Sequence, residues 1–221
     1  RQQWAQHFVE RVADVNTALQ EVRPFTFRLT EDQANAYLAS MDEIAALQPD
    51  RAGGPPRRGE VAAAMQEAAL AAPAVDFSDG AIRLMVRSTE YGKVIAADIR
   101  LEMLPGRDAI AVRLAGASVG PLPLPESVYR EHIDALRRQV QRDLSAGAER
   151  NPEAFDPAGA GGLSTAVVGE LGLELLGALD GEPVPTEHRL RPWLRVRIDE
   201  VTVVDGELRI GVKPERIAPG R

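Results

Sequence analysis

The chain has no cysteine, which removes disulfides, thiol nucleophiles and cysteine metal sites from consideration and leaves the compartment open. Histidine is nearly as scarce. His7, His132 and His188 stand alone, with no H-x-x-x-H or H-E-x-x-H spacing, a pattern that fits exposed or capping roles better than metal ligation. Basic charge is in deficit: 26 Lys and Arg against 33 Asp and Glu give a net charge of −7. That balance argues against a phosphate-tracking surface, and so against a nucleic-acid partner. No apolar run reaches the ~18 residues of a membrane-spanning helix. Aromatic residues make up only 5%, so aliphatic and small side chains must fill whatever core forms.

Signatures of chemistry are missing as well. Gly159-Ala160-Gly161-Gly162 lacks the preceding strand and the third spaced glycine of a dinucleotide loop, and neither a P-loop nor a calcium loop occurs. Gly116-Ala117-Ser118-Val119-Gly120 has the spacing of a G-x-S-x-G nucleophile elbow, and later aspartates with His188 permit the order Ser, Asp, His. An elbow needs a helix directly after its serine, whereas Pro121, Pro123 and Pro125 follow Ser118. Glu170 and Glu174 lie one helical turn apart without a partner motif and read as a solvated stripe. The expectation is a non-enzyme with no catalytic residue, cofactor or metal site; a hydrolase built on Ser118 is the third-ranked reading.

The stretch that organises the chain is residues 75–144. Ile82, Leu84 and Val86 alternate with Arg83, Met85 and Arg87, and Ile95, Ala97, Ile99, Leu101 and Met103 alternate with Ala96, Asp98, Arg100 and Glu102. Ile110, Val112 and Leu114 continue the pattern against Arg113. A period of two marks half-buried strands. The short connectors Ser78-Asp79-Gly80, Tyr91-Gly92-Lys93 and Pro105-Gly106-Arg107-Asp108 favour an antiparallel meander with one dry and one wet face. The apolar parity slips at Ala115-Gly116, which predicts a bulge. Pro121, Pro123 and Pro125 then remove backbone donors, so residues 120–124 are expected to be extended and unpaired, with Pro125 opening a helix. Tyr129, Ile133, Leu136, Val140 and Leu144 recur at helical spacing, and this stripe is expected to lie on the dry face.

Upstream, Trp4, Phe8, Val12, Val15, Leu19 and Val22 define an amphipathic helix within residues 1–23. Its polar side is mixed in sign, which favours packing on the domain over lying on a lipid surface. The chain starts at Arg1, and this helix could continue from a removed signal or membrane anchor. Phe25, Phe27 and Leu29 alternate as a strand, and Thr30-Glu31-Asp32-Gln33 has the form of a capping box opening a helix through Leu47. Residues 48–59 read as a mobile loop, 61–72 as an alanine-rich helix and 145–162 as a flexible link. Leu163, Val167, Val168, Leu171, Leu175, Leu176 and Leu179 mark a glycine-interrupted apolar helix that is either buried or covers a ligand. Leu194, Val196 and Ile198, a parity slip at Asp199-Glu200, and Val201 and Val203 lead through Asp205-Gly206 into Leu208, Ile210 and Val212 as a hairpin. This hairpin echoes residues 76–84; a true repeat or one shared turn chemistry would each produce the echo.

Together these elements predict an α+β fold: a curved antiparallel meander packed on or wrapped around the helix of residues 125–146, with residues 24–214 as one domain and 215–221 as a tail. Two layouts satisfy the apolar inventory, a closed core or an elongated slot for a lipid chain. The candidate liners of such a slot are Ile99, Leu101, Val112, Leu114, Tyr129, Ile133, Leu136, Leu171, Leu175 and Trp193, all apolar-face residues that a closed core would use equally.

Two segments carry a family likeness. Phe27-Arg28-Leu29-Thr30-Glu31-Asp32-Gln33-Ala34-Asn35-Ala36-Tyr37-Leu38 and Ala117-Ser118-Val119-Gly120-Pro121-Leu122-Pro123-Leu124-Pro125 resemble bacterial membrane-anchored extracytoplasmic domains of the YpmS kind. There a strand runs into a T/S-E-x-x-N-x-x-L helix, and a G-x-L-P-L-P segment precedes another helix. The resemblance spans residues 24–145 and 190–214; the insertions at 48–59 and 145–162 depart from it. It implies an N-terminal transmembrane anchor, an extracytoplasmic location and a layout similar to tubular lipid-binding domains, and it implies no catalytic residues. The expected function is therefore a non-catalytic envelope-side domain that binds or shields a lipid or other apolar ligand. The alternative is a closed-core scaffold whose charged sheet face receives an envelope protein partner.

Overall fold

The computed structural model describes residues 1–41, 43–44, 66, 69–106, 108–128, 130, 138, 142, 177–178 and 181–217. The loop at 48–59, the link at 145–162, nearly all of 163–179 and the stripe from Tyr129 to Leu144 lie outside them. In chain order the elements are α1 (Gln2–Gln20), β1 (Phe25–Thr30), α2 (Glu31–Leu38), β2 (Leu70–Ser78), β3 (Ala81–Ser88), β4 (Val94–Met103) and β5 (Ala109–Val119). There follow β6 (Leu122–Pro123), β7 (Val184–Pro185), β8 (Glu187–Arg191), β9 (Leu194–Val204) and β10 (Glu207–Arg216). The architecture is α+β and antiparallel, in two open sheets: a four-stranded sheet ordered β1-β10-β9-β8, and a six-stranded sheet ordered β2-β3-β4-β5-β6, with β7 added beside β5.

Both parity slips are bulges. Asp98 pairs with Gly116 and Ile99 with Leu114, leaving Ala115 as the extra residue. Gly211 pairs with Glu200 and Val212 with Ile198, leaving Asp199 extra. Each bulge returns apolar side chains to the inner face after one residue of slippage. The two Asp-Gly turns are both hairpins, with Gly80 at φ +71° and Gly206 at φ +77°, the left-handed backbone that glycine adopts without strain. The turns also touch: the Gly206 N–H donates to the Phe77 carbonyl at 2.7 Å.

Three local expectations are corrected. The helix opened by Thr30 ends at Leu38, because the Ser40 N–H turns back to the Tyr37 carbonyl, three residues away, and breaks the ladder; helix resumes at Met41. The helix expected to reach Ala72 has given way to strand by Leu70, where Leu70 pairs with Ser88 and the Thr89 N–H donates to Ala69. Pairing with β3 there overrides the helix propensity of alanine. Residues 120–124 are not unpaired. Gly120, at φ +57°, turns the chain so that Leu122 and Pro123 pair with Val119 and Ser118, and the Leu124 N–H donates to Ala117 at 2.8 Å. Prolines at alternate positions remove donors along one edge only, and Leu124 keeps its own on the other.

β9 lies across β2, β3 and β4 and joins the sheets face to face. Val203 packs with Val75, Phe77 and Ala34, and Ile198 and Val201 pack with Ile110, Val112, Ile99 and Leu101. α1, α2 and the helical turn that resumes at Met41 complete the core beside β1 through Ala5, Phe8, Tyr37, Ile44 and Leu29. Within that cluster Trp4 and Phe8 meet the Tyr37 ring edge-on, and His7 Nδ1 lies 2.7 Å from the Tyr37 hydroxyl. Burial pushes the Tyr37 phenol pKa up, opposed by the charge of Arg11. Among the described residues no helix is long and apolar enough to cross a membrane.

Candidate functional site: an apolar sheet face covered at one end

The Thr-Glu-x-x-Asn segment is a seam between the two sheets. Thr30 and Gln33 form a reciprocal capping box. In the next turn, the Asn35 amide donates to the Val75 carbonyl at 2.8 Å and accepts the Val75 N–H at 2.7 Å. Glu31 accepts the Phe77 N–H, while its own N–H donates to Gly206. The outer edge of β2 is thus satisfied by side chains of α2, and the polar letters of the motif are used in joining strands.

Held in this way, the six-stranded sheet presents one continuous apolar face. Register places Val75 and Phe77, then Ile82, Leu84 and Val86, then Ile95, Ala97, Ile99 and Leu101, then Val112, Leu114, Ala117 and Val119 on the same side. Near the β2–β3 and β4–β5 turns this face is closed. Phe77 and Val112 are buried, Ile99 and Leu101 pack with β9, and Ala178, 0% exposed, seals the same cluster. Towards the β3–β4 and β5–β6 turns the described elements no longer cover it: Leu84 is 44% exposed although it lies directly opposite buried Val75. Val86, Ile95, Leu114 and Val119 are half-buried, as Ile99 and Leu101 are at the covered end, and Leu122, opposite Val119, is 69% exposed.

Of the residues singled out from the sequence, Ile99, Leu101 and Val112 come together at the closed end, and Leu114 lies on the same face towards the open end. Trp193 is not brought to them. It sits in the β8–β9 turn, 38% exposed, with the Arg191 guanidinium 5.8 Å from its ring centre. Tyr129, Ile133, Leu136, Leu171 and Leu175 lie outside the described residues. Sequence reasoning left Leu84, Val86, Ile95, Val119 and Leu122 off the list of liners. The parity that would have found them was legible; which half of the face β9 covers was not.

The opposite face of the sheet is charged, with Arg83 holding Asp98 through two bonds of 2.6 and 3.2 Å. A separate recess of about 290 Å³ is lined by Gly106, Asp108, Pro185, Thr186, Glu187 and Arg197; charged walls of this kind do not suit an acyl chain. Ser118 lies within β5, paired with Ala96 and Pro123, and not at a strand-to-helix turn. Among the described residues no cluster of His, Asp and Glu could hold a metal.

Comparisons with protein-family models, curated proteins and solved structures return no match for this chain.

Proposed function

We propose that this chain is a non-catalytic domain that binds a lipid chain, or a ligand of comparable apolar shape, along the sheet face from Leu101 to Leu84 and Val119. The observation that carries the reading is the mismatch of lengths: the apolar face extends beyond the described elements that cover it, with Leu84 and Leu122 exposed on a surface otherwise built as core. The Leu124 N–H bond to Ala117 brings the chain to this rim, where Glu126, Ser127 and Val128 are helical. In this reading the ligand lies along the open half of the sheet face, against Leu84, Val86, Ile95 and Val119. The likeness to membrane-anchored extracytoplasmic domains supports an envelope-side location and an N-terminal anchor.

A second reading has one observation in its favour. Ile99, Leu101 and Val112 already pack in a core cluster, as they would in a closed-core scaffold that offers its charged face to a protein partner. Native mass spectrometry of gently purified protein, with organic extraction of whatever copurifies, separates the two. The ligand reading expects a stoichiometric apolar adduct that is lost in Leu84→Asp, a substitution at an exposed site. A bare mass that persists after challenge with fatty acid and phospholipid would sink it in favour of the scaffold.

A further inference from the structure

We propose that the end of the six-stranded sheet formed by the β3–β4 and β5–β6 turns inserts into the headgroup region of a phospholipid bilayer. Two neighbouring turns build this tip. The Gly120 N–H donates to the Val94 carbonyl at 2.6 Å, and Val119 pairs with Ile95 on one side and Leu122 on the other. Inside the β3–β4 turn, the Ser88 N–H donates to the Lys93 carbonyl at 2.8 Å and the Tyr91 N–H to Ser88 Oγ at 3.3 Å, which fixes the loop that carries Tyr91. Tyr91 and Leu122 are each 69% exposed and Val94 44%, on backbone that is pinned in place.

The charge around these side chains runs against that of the whole molecule. Arg87 and Lys93 flank the apolar residues with no carboxylate partner among the described residues, against the single carboxylate of Glu90 in the same turn, while Glu126, beyond the β5–β6 turn, is paired with Arg130. The chain as a whole carries −7. An aliphatic point, a phenol whose polar end stays wet and long cationic side chains that reach back to phosphate are what a membrane interface selects. A specific protein interface takes roughly 800 Å² on each partner, more than two tight turns present. That the tip serves as a loading end rests on the apolar-ligand reading; its affinity for a bilayer does not.

The test is co-sedimentation of the full chain with phosphatidylcholine vesicles, with and without phosphatidylglycerol. Wild type sediments with both, and more tightly with the anionic vesicles. Leu122→Asp and Tyr91→Ser each reduce partitioning by about tenfold, as expected for losing one inserted apolar side chain. Lys93→Glu weakens binding to the anionic vesicles alone, by about fivefold per unit of charge removed. Both apolar positions are exposed, so the variants should keep the wild-type circular dichroism spectrum. Because the chain lacks cysteine, Leu122→Cys carrying an environment-sensitive dye gives a second readout, a blue shift on adding vesicles. Wild type that stays in the supernatant with both vesicle types overturns the proposal, as do variants that sediment like wild type. Tip substitutions that change self-association while no form binds vesicles overturn it too, and identify a contact between protein chains. Ligand retention measured without vesicles keeps the two ideas apart: vesicle binding by a chain that never holds an apolar ligand leaves the tip standing and removes the slot.

Discussion

Replacing Asn35 with alanine should be among the most damaging polar substitutions in the molecule. Its side-chain amide makes two hydrogen bonds, 2.7 and 2.8 Å long, to the N–H and C=O of Val75, a residue only 5% exposed. Alanine would strand one buried donor and one buried acceptor on the edge of β2, at about 1–3 kcal/mol each. A loss of about 2–6 kcal/mol is therefore expected, a large share of the ~5–15 kcal/mol that holds a typical domain together. Urea titration followed by circular dichroism should show the midpoint falling with the slope unchanged. Asn35→Asp gives the direction. At neutral pH the carboxylate still accepts the Val75 N–H but faces the Val75 carbonyl with a second acceptor, so stability should drop comparably. A midpoint change in Asn35→Ala worth less than about 0.5 kcal/mol, the scatter of ordinary surface substitutions, would refute the claim that this side chain joins the sheets.

Two further outcomes follow from packing and charge. A Cβ at Gly211 would lie 2.5 Å from Asp199 Oδ1 and 3.0 Å from Glu200 Cβ, so Gly211→Ala should cost about 1–3 kcal/mol; thermal melts of Gly211→Ala, Asp199→Ala and the double variant should show a non-additive recovery when the obstructing carboxylate is removed. Tyr37 has its phenol pKa raised by burial, so the folded state holds its proton more tightly than the unfolded chain. Its contribution is complete below the unfolded value near 10 and is lost as pH climbs through the folded one. Alkaline unfolding monitored by tyrosinate absorbance should show this loss, and Tyr37→Phe should abolish that step; an unchanged alkaline limb in the phenylalanine variant would mean that other groups set it.

Local pattern was legible wherever the chain obeys a single periodicity or a fixed turn chemistry. The alternation of Ile82, Leu84 and Val86 with arginine and methionine, the capping box at Thr30, both bulges and both Asp-Gly hairpins follow from rules that act over a few residues, because side-chain parity and positive φ are properties of the backbone itself. The same rules failed where distant chain intervened. Alanine between residues 61 and 72 favours helix, yet Leu70 found a partner in Ser88. The proline run looked unpaired until Gly120 folded Leu122 back onto Val119. Asn35 looked like one polar residue on a helix, and only the approach of β2 gave it two bonds to make.

The candidate site divides along the same line. The sequence by itself determined that one face of the meander would be apolar along its whole length, since a period of two places every second residue on one side. Only the tertiary structure decided that this face belongs to a second sheet crossed by β9, that Ile99, Leu101 and Val112 lie beneath that crossing, and that Leu84, Val119 and Leu122 extend past it. Burial depends on where β9, which begins only at Leu194, comes to rest, and no local spacing encodes that position.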